Sequence, residues 1–271
     1  MSGFFRVGGA AYDDFMGRYS VRLAPLFADF AGVQGGRVLD VGAGTGALTG
    51  ELLRRGADVA AVEPSPEFCA ALRERFPAIE IAEAPAEQVP FPDGSFDVAL
   101  AQLVVAFMQD APAGVAEMGR VARSVAVCMW GVMEMEMFAA INRTAEAIGV
   151  SREAEAGARR YRTPDELREL LAPLGRVESA DLEVAADYDD FDEFWHALER
   201  QVGPAGAWLA ALSDDQRAHA REEMHRQLGS PSGTFSLTGR CYAARVSTEA
   251  RSAPVPTSVT STSSSRSTNS T

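Results

Sequence analysis

The apolar residues in the first half of the chain fall into short runs separated by segments of helical spacing. Five of these runs have the length of buried parallel strands, at 38–41, 58–62, 79–81, 96–100 and 125–130. The spacing predicts helices at 12–30, where Pro25 interrupts the pattern once, and at 48–55 and 112–123, with another that begins at Pro66 behind Ser65. Alternation of strand and helix is typical of a parallel sheet covered on both faces.

The second half of the chain departs from this alternation. It contains helical patterns at 134–148, 152–160, 163–173, 191–201, 204–212 and 214–228. Two segments, 176–188 and 235–246, alternate instead, and the second predicts a last strand that runs antiparallel to its neighbours. Together the segments predict an α/β fold, with a doubly wound, mostly parallel, seven-stranded Rossmann-like sheet and a helical cap.

Composition and charge narrow the class of protein. The chain has 271 residues, 46% of them hydrophobic, which is enough for one substantial core with additions. Its formal charge of −13 disfavours a nucleic-acid partner, because phosphate binding requires clustered Lys and Arg. The three cysteines are too widely spaced for a disulfide framework or a zinc site, and no apolar stretch reaches the ~18 residues of a membrane helix. We therefore expect a soluble, cytoplasmic protein without a metal or a membrane partner.

A glycine-rich turn, Asp40-Val41-Gly42-Ala43-Gly44-Thr45-Gly46, follows the first predicted strand and opens the next helix. Glycines let the backbone approach a ligand at a helix N-terminus, where we expect free amides to point outward. The spacing up to Ala47 also fits the loose dinucleotide fingerprint, so a nicotinamide or flavin enzyme is one interpretation. The charge of Asp40 disfavours a pyrophosphate and favours a ligand with cationic groups. A turn-capping aspartate without any ligand is the remaining interpretation.

A second acidic residue, Glu63, stands at the end of the second predicted strand. Ligands of open α/β sheets bind beyond the carboxyl ends of the strands, which places Glu63 where a ribose would lie. A carboxylate can accept hydrogen bonds from two neighbouring hydroxyls at once. The alternative is that Glu63 is an idle surface residue.

The segment between the third and fourth strands carries the most specific motif, Ala84-Pro85-Ala86-Glu87-Gln88-Val89-Pro90-Phe91-Pro92-Asp93-Gly94-Ser95-Phe96-Asp97. Together with the acidic glycine turn, it resembles the class I S-adenosylmethionine (AdoMet) dependent methyltransferases, in particular the ubiquinone/menaquinone-biosynthesis-like (methyltransferase type 11) group. The resemblance covers roughly 12–246 and is densest between 38 and 98. It has two departures: Pro85 stands where the family has an aspartate, and the family's Pro-Gly-Gly turn is missing after Arg123.

The resemblance implies an AdoMet site with residues assigned to its parts. The glycine turn and the end of the second strand would hold the cofactor through these residues: Asp40, Gly42, Ala43, Gly44, Gly46, Glu63 and Pro64. Ala86 and Glu87 would address the adenine, with Pro85 only as a wall. The methionine part would face Gln102 and residues of the N-terminal helix: Tyr12, Arg18 and Tyr19.

The resemblance also implies a domain organisation and a reaction. A single methyltransferase domain at 1–246 would contain N-terminal cap helices at 12–34, a cofactor-binding core at 36–130, and helical cap insertions at 131–162 and 189–231. The Ser/Thr-rich segment 247–271 has no apolar period and is predicted to be a disordered tail. The reaction would be in-line displacement of the AdoMet methyl group by a small-molecule acceptor.

The predicted cap indicates the kind of acceptor. It carries Phe191, Phe194, Trp195 and Trp208, which favours an apolar or aromatic molecule. His196 is the leading candidate for a general base, although histidines on cap helices are more often structural. The sequence gives no indication of the oligomeric state.

Two other functions stay open from the sequence. A nicotinamide-dependent oxidoreductase would bind NADH and not AdoMet. A non-catalytic binding protein with the methyltransferase fold would bind AdoMet without turnover, and Pro85 and the missing Pro-Gly-Gly turn favour this possibility.

Overall fold

A single seven-stranded sheet forms the centre of the computed structural model, which describes residues 13–150, 160–200 and 203–247. Its strands are β1 Arg37–Val41, β2 Asp58–Val62, β3 Glu80–Ala82, β4 Phe96–Gln102, β5 Ala122–Met135, β6 Val177–Tyr188 and β7 Phe235–Ser247. Their order is β3-β2-β1-β4-β5-β7-β6. The pairings among β1 to β5 are parallel, whereas β7 is antiparallel to both β5 and β6. The predicted fold class is confirmed, including its antiparallel last strand.

The helices connect and cover these strands. They are α1 Arg18–Ala31, α2 Ala47–Arg54, α3 Pro66–Arg75, α4 Ala111–Val121, α5 Glu136–Ala147, α6 Pro164–Leu171, α7 Phe191–Glu199, α8 Gly203–Ala210 and α9 Asp214–Gln227. A π-helical turn, Asp13–Gly17, leads into α1, and 3-10 turns occur at Ala86–Gln88, Val105–Phe107 and Ala172–Leu174. Within the described ranges, no helix is both long enough and apolar enough to cross a membrane.

Side-chain caps fix the start of several helices. The hydroxyl of Ser65 accepts a hydrogen bond from the amide of Phe68, with Pro66 at the first position of α3. Thr163 and Glu166 form a reciprocal capping box at the start of α6. Such caps satisfy amides that have no partner inside the helix. Both helices therefore begin where the sequence predicts.

Two apolar cores lie on opposite faces of the sheet. Leu100 and Ala126 belong to the core shared with α1, α2, α5 and α7 to α9. Ala99 and Val125, their neighbours along the strands, belong to the core shared with α4 and α6. This division follows from the two-residue period of a strand. The sheet is therefore covered on both sides, as a doubly wound fold requires.

The structure differs from the predicted elements around β5. Glu134 and Met135 were expected in a helix, but β5 continues through them and Met135 pairs with Gly239 of β7 after a register shift. Met135 stays in the strand because pairing with β7 gives hydrogen-bond partners to backbone N–H and C=O groups. The first turn of a helix would leave some of these groups without partners. At its other end, β5 begins at Ala122 directly after α4, as the missing Pro-Gly-Gly turn predicts.

Other predicted boundaries also shift. Pro25 does not interrupt α1, which is one continuous helix. β7 ends at Ser247, one residue beyond the predicted strand, and the remainder of the predicted tail lies outside the described residues. The helix expected at 152–160 lies almost entirely outside them as well. The other helices of the two predicted insertions are present as α5 and α7 to α9, and their role as a cap over the functional site stays a prediction.

Candidate functional site

The glycine turn between β1 and α2 is tied to the end of β2. Gly42, Gly44 and Gly46 all adopt positive φ angles, of 70°, 56° and 89°. The amides of Gly42 and Ala43 donate to the carbonyl oxygen of Val62, at 2.7 and 3.3 Å, and the amide of Gly46 donates to Ala43. Protein oxygens therefore accept from the amides of Gly42, Ala43 and Gly46, whereas the expectation of free amides at the start of α2 stays a prediction.

The three glycines have different surroundings. A Cβ atom on Gly42 would lie 2.5 Å from Cγ1 of Val104, and one on Gly46 would lie 2.4 Å from Cε2 of Phe76. A Cβ atom on Gly44 would meet nothing within 4 Å. Gly42 and Gly46 are therefore required for close packing inside the protein. Gly44 is the position at which the turn is open to a ligand.

Glu63 links the glycine turn to the start of α3. Its side chain is buried, with 5% of the residue exposed. Oε2 accepts a hydrogen bond from the amide of Gly44 and Oε1 accepts one from the amide of Ser65, both at 2.9 Å. Burial raises the pKa of this carboxyl group, and the two amides oppose the rise. Each carboxylate oxygen keeps a second lone pair for a ligand.

Asp40 lies beneath the turn. It is 2% exposed, and its Oδ2 accepts a hydrogen bond of 2.6 Å from the hydroxyl of Thr49 in α2. Burial raises the pKa of Asp40 to about 7, the hydrogen bond from Thr49 lowers it, and the charge of Glu63 raises it. Asp40 therefore anchors α2 to the end of β1, and its carboxylate is directed to that helix.

This arrangement disfavours a dinucleotide. A pyrophosphate needs free amides at the glycine turn, but the amides of Gly42, Ala43 and Gly44 are bonded to protein oxygens. Two buried carboxyl groups, Asp40 and Glu63, also stand at the ends of adjacent strands and would repel it. The site instead suits a ligand that is neutral or cationic near the turn and carries hydroxyl groups near Glu63.

The loop predicted to face adenine is held by α4. Ala86 is buried, and its Cβ would lie 3.3 Å from a Cβ on Gly114 of α4. The carboxylate of Glu87 accepts a hydrogen bond of 2.9 Å from the amide of Asp110, so this side chain is engaged with the start of α4. Pro85 adopts an extended conformation before the 3-10 turn, and Pro64 is half-buried beside Glu63.

Arg120 holds the rest of this loop in place. Its guanidinium donates to the carbonyl oxygens of Val89 and Phe91, at 2.8 and 2.9 Å, and pairs with Asp93 and Glu117. These two carboxylates raise the pKa of Arg120, so its charge is permanent. Arg120 therefore contributes, together with Glu117, to fixing the shape of the loop between β3 and β4.

The end of β4 adds a backbone feature that the sequence did not indicate. Leu103 has a φ of 64°, a strained conformation for a leucine, and its amide donates to the carbonyl oxygen of Cys128 at 2.9 Å. The next residue, Val104, packs against Gly42. Backbone strain of this kind is concentrated at functional sites. No residue type in this segment signals it, because a turn at positive φ is normally marked by glycine or asparagine.

Gln102 and Tyr19 occupy an interior position. The side-chain amide of Gln102 donates to the carbonyl oxygen of Ser20 at 3.1 Å, which joins β4 to α1. Tyr19 is fully buried, and its ring meets that of Trp130 edge to face, with 6.0 Å between the centroids. Trp130 was predicted only as the end of a strand, and its position beside Tyr19 had no signal in the sequence.

A cleft of about 490 Å³ borders the other side of the turn. It is lined by Gly17, Arg18, Val21, Arg22, Ala47 and Arg75. Nη1 of Arg75 donates to the carbonyl oxygen of Thr45 at 2.8 Å, and Arg18 pairs with Glu193 of α7. Arg18 lies at this cleft, and its role near the cofactor stays a prediction, whereas Tyr12 lies outside the described residues.

The predicted acceptor residues are placed differently from the expectation. His196 is exposed on α7, while its neighbours Trp195 and Ala197 are buried, and this position does not support a role as general base. Phe191 and Phe194 are buried in the core together with Trp195 and, on α8, Trp208. These aromatic side chains stabilise the packing of the helices and do not line an open pocket in this structure.

Comparison with known proteins identifies the domain. Residues 39–129, from β1 to β5, match a family model described as a methyltransferase domain. This part of the chain is similar to methyltransferase domains. The match includes the glycine turn, Glu63, the loop held by Arg120 and the end of β4.

Relatives of the methyltransferase domain are found among proteins and solved structures. The chain is 48% identical over 64 residues to an uncharacterized methyltransferase of Mycobacterium bovis, covering 24% of this chain and 26% of that protein. It is 40% identical over 86 residues to the demethylmenaquinone methyltransferase of Chlorobaculum tepidum, covering 31% and 36%. These matches span well under half of the relatives' lengths.

One solved structure is similar over most of its length. A protein from Anaeromyxobacter dehalogenans, provisionally assigned as a type II methyltransferase, is 25% identical, with a TM-score of 0.61. The similarity covers 83% of this chain and 94% of that one. The methyltransferase fold therefore extends beyond the matched domain to most of the chain.

Proposed function

We propose that the chain is an AdoMet-dependent methyltransferase that acts on a small-molecule acceptor. The observation that carries this proposal is the pairing of Gly44, which is open to a ligand, with the carboxylate of Glu63, which is fixed 2.9 Å from the Gly44 amide. A hydroxyl-bearing ligand beside the turn would lie within reach of that carboxylate. The methyltransferase domain match covers both residues.

The residues around the turn fit AdoMet. When bound, AdoMet supplies a methyl group that its sulfonium already activates for displacement. Glu63 would accept hydrogen bonds from the two ribose hydroxyls through the lone pairs that the amides of Gly44 and Ser65 leave free. Ala86 and Pro85 would form the wall beside adenine, and the negative potential of Asp40 and Glu63 favours a cationic ligand.

The protein would promote transfer mainly by holding the acceptor in line with the methyl group. Orientation alone supplies effective molarities of about 10⁵ M or more. Tyr19 is neutral, because burial raises the pKa of its hydroxyl far above the physiological range. It would therefore orient a bound group and would not act as a base. We propose an apolar or aromatic acceptor, in keeping with the similarity to the demethylmenaquinone methyltransferase of Chlorobaculum tepidum.

The cellular location is also a proposal. All three cysteines are free and buried, although Cys128 and Cys241 lie on adjacent strands. Free thiols are typical of proteins in a reducing compartment. We propose the cytoplasm.

Calorimetric titration of AdoMet and S-adenosylhomocysteine tests the cofactor. Wild type should bind both ligands, and Glu63→Gln should weaken binding at least tenfold, because one lost charged hydrogen bond contributes about 1.5–3 kcal/mol. The control Glu80→Gln changes an exposed acid at the amino end of β3 and should bind as wild type does. Absence of AdoMet binding by wild type, or saturable binding of NADH in its place, would overturn the proposal. Binding without turnover on any acceptor would favour the non-catalytic alternative.

A further inference from the structure

The cleft between α1 and the start of α2 concentrates positive charge. The residues that line it are Gly17, Arg18, Val21, Arg22, Ala47 and Arg75. Three of them are arginines and none is acidic, although the chain as a whole has a formal charge of −13. The volume of about 490 Å³ is in the range of sites for small molecules. We name this region the arginine cleft.

Two of these arginines are held in place by the protein. Nη1 of Arg18 donates to the carbonyl oxygen of Asp187 at 3.0 Å, and its guanidinium lies 5.0 Å from the ring centroid of Tyr188. Nη1 of Arg75 donates to the carbonyl oxygen of Thr45 at 2.8 Å. A guanidinium has five N–H donors, so it can bind an anion while it keeps such contacts. Both positive groups are positioned before a ligand arrives, which lowers the entropy cost of binding.

The third arginine has a partner that an anion can replace. Nη2 of Arg22 lies 2.9 Å from Oδ2 of Asp187, and the two side chains are 43% and 67% exposed. Ion pairs this exposed contribute little to stability. Asp187 also accepts a hydrogen bond of 2.6 Å from the hydroxyl of Ser236, so it keeps a partner when Arg22 turns to a ligand. Arg18 stays paired with Glu193, whose charge offsets that of one arginine.

The start of α2 reinforces the positive potential of the arginine cleft. Ala47 is the first residue of α2 and lines the cleft. Gly46, which precedes it, makes no side-chain cap, and the first turn of α2 contains no acidic residue. The N-terminal end of a helix carries a partial positive charge. The arginines supply most of the charge, and this end of α2 adds to it.

The number of guanidinium groups indicates the kind of ligand. A phosphate monoester has a charge of about −1.5 to −2 and three terminal oxygens, each of which can accept from an arginine. A carboxylate has one charge and two oxygens, so the methionine carboxylate of AdoMet would engage fewer of these donors. Val21 is 61% exposed and gives the cleft one apolar wall. The cleft therefore suits a phosphate monoester that has a carbon group beside the phosphate.

We propose that the arginine cleft binds a small molecule with a phosphate monoester and an apolar group, and that it does so while AdoMet occupies its own site. The phosphate would bind Arg22 and Arg75, with Arg18 as a third donor, and the apolar group would pack against Val21. Of the lining residues, only Arg18 is among those that the sequence assigns to the cofactor. This inference goes beyond the proposed function, because it adds a second ligand whose binding does not require methyl transfer.

Three phenyl compounds test the charge that the arginine cleft requires. Phenyl phosphate, benzenesulfonate and phenol share one ring, and at about pH 8, above the second pKa of a phosphate monoester, they differ in negative charge. Each is titrated calorimetrically into the full chain at low salt, without and with saturating S-adenosylhomocysteine. Wild type should bind phenyl phosphate at least about fivefold more tightly than benzenesulfonate, and phenol should not bind. S-adenosylhomocysteine should change the affinity for phenyl phosphate by less than about twofold.

Substitutions in two matched ion pairs locate the site. Arg22→Gln should weaken the binding of phenyl phosphate about tenfold, because it removes a charged donor. Arg240→Gln is the control, since Arg240 is 45% exposed and also pairs with an exposed acid, Asp181. Asp187→Asn should act in the opposite direction and strengthen binding at least about twofold, because it removes the competitor for Arg22. Asp181→Asn should leave the affinity unchanged. Titration of S-adenosylhomocysteine into each variant checks that it is folded.

The outcomes separate the inference from the proposed function. No binding of phenyl phosphate, binding no tighter than that of benzenesulfonate, or equal affinities in Arg22→Gln and Arg240→Gln would each overturn the inference. Competition between phenyl phosphate and S-adenosylhomocysteine would also overturn it, because the arginine cleft would then belong to the methionine carboxylate of the cofactor. If S-adenosylhomocysteine binds and phenyl phosphate does not, the proposed function stands without the second ligand. If only phenyl phosphate binds, the inference stands and the proposed function fails.

Discussion

The hydroxyl of Thr49 donates a hydrogen bond of 2.6 Å to the carboxylate of Asp40, and both side chains are buried. This contact joins β1 to α2 across the glycine turn. The two residues are nine positions apart, so the hydrogen bond closes the turn from below while Gly44 stays open above it.

Removal of the donor should destabilise the protein. Thr49→Val keeps the shape of the side chain but removes the hydroxyl donor to the buried carboxylate of Asp40, and the free energy of unfolding should fall by about 1–3 kcal/mol. The effect should be larger at pH 8, where Asp40 is mainly ionised, than at pH 5. Thr144→Val is the control: Thr144 is equally buried, but its hydroxyl meets only the sulfur of Met224, a weak acceptor. Urea denaturation gives the free energy of unfolding of both variants. Equal losses of this free energy would contradict the role of Thr49 as the hydrogen-bond donor to Asp40.

Asp40 should make stability depend on pH. Because its folded-state pKa is about 7 and its unfolded value is near 3.8, the folded state binds more protons between these values, and stability falls as the pH rises through this window. Asp40→Asn should not lose stability as the pH rises through this window, because asparagine does not ionise. Its free energy of unfolding should match that of wild type near pH 4 and exceed it above pH 7, by up to about 4 kcal/mol. Denaturation curves from pH 4 to pH 8 would contradict the raised pKa if the difference did not grow with pH.

Alanine substitutions at Gly44 and Gly56 distinguish an effect on ligand binding from an effect on stability. Gly44 and Gly56 both have positive φ angles, and a Cβ on either would meet nothing within 4 Å. Alanine at each position should therefore cost about 1–2 kcal/mol of stability through backbone strain. Only Gly44→Ala should also weaken AdoMet binding, by more than tenfold, because its methyl group would enter the space of the ligand. Equal AdoMet affinities in the two variants would place the ligand elsewhere.

Arg120 and Arg123 provide a matched pair of arginines. The side chain of Arg120 is 30% exposed and holds the loop between β3 and β4, whereas that of Arg123 is 77% exposed. Arg120→Ala should lower the free energy of unfolding by about 1–3 kcal/mol, because it leaves two loop carbonyls without their partner and removes the ion pair with Glu117. Arg123→Ala should change it by less than about 0.5 kcal/mol. Chemical denaturation and AdoMet titration of both variants test whether the loop also shapes the adenine side of the site.

The core of the fold was predictable because its local signals agree. The strand lengths, the caps at Ser65 and Thr163 and the position of Glu63 after β2 each follow from short-range sequence patterns. The hydrogen-bond partners of Asp40 and Glu63 were not predictable. They depend on how the turn closes against β2, and spacing alone left the turn amides free for a ligand.

The β5–β7 region was harder for a different reason. The sequence from Glu134 to Ile148 has helical spacing, but long-range pairing with β7 keeps Met135 in the strand. For His196 the sequence predicts a role that the structure does not support. The prediction rests on its residue type and its place on an insertion helix, but its side chain is exposed.

The order of the sheet has a consequence for how the polypeptide acquires its structure during synthesis. β7 lies between β5 and β6, so the strand nearest the C-terminus joins two strands made earlier. β6 has no place in the sheet until Phe235 and the residues after it have left the ribosome, and until then β5 and β6 both expose unpaired backbone edges. Such edges readily pair with other chains. A chain stalled before β7 would therefore be prone to aggregation even with its cofactor-binding half complete.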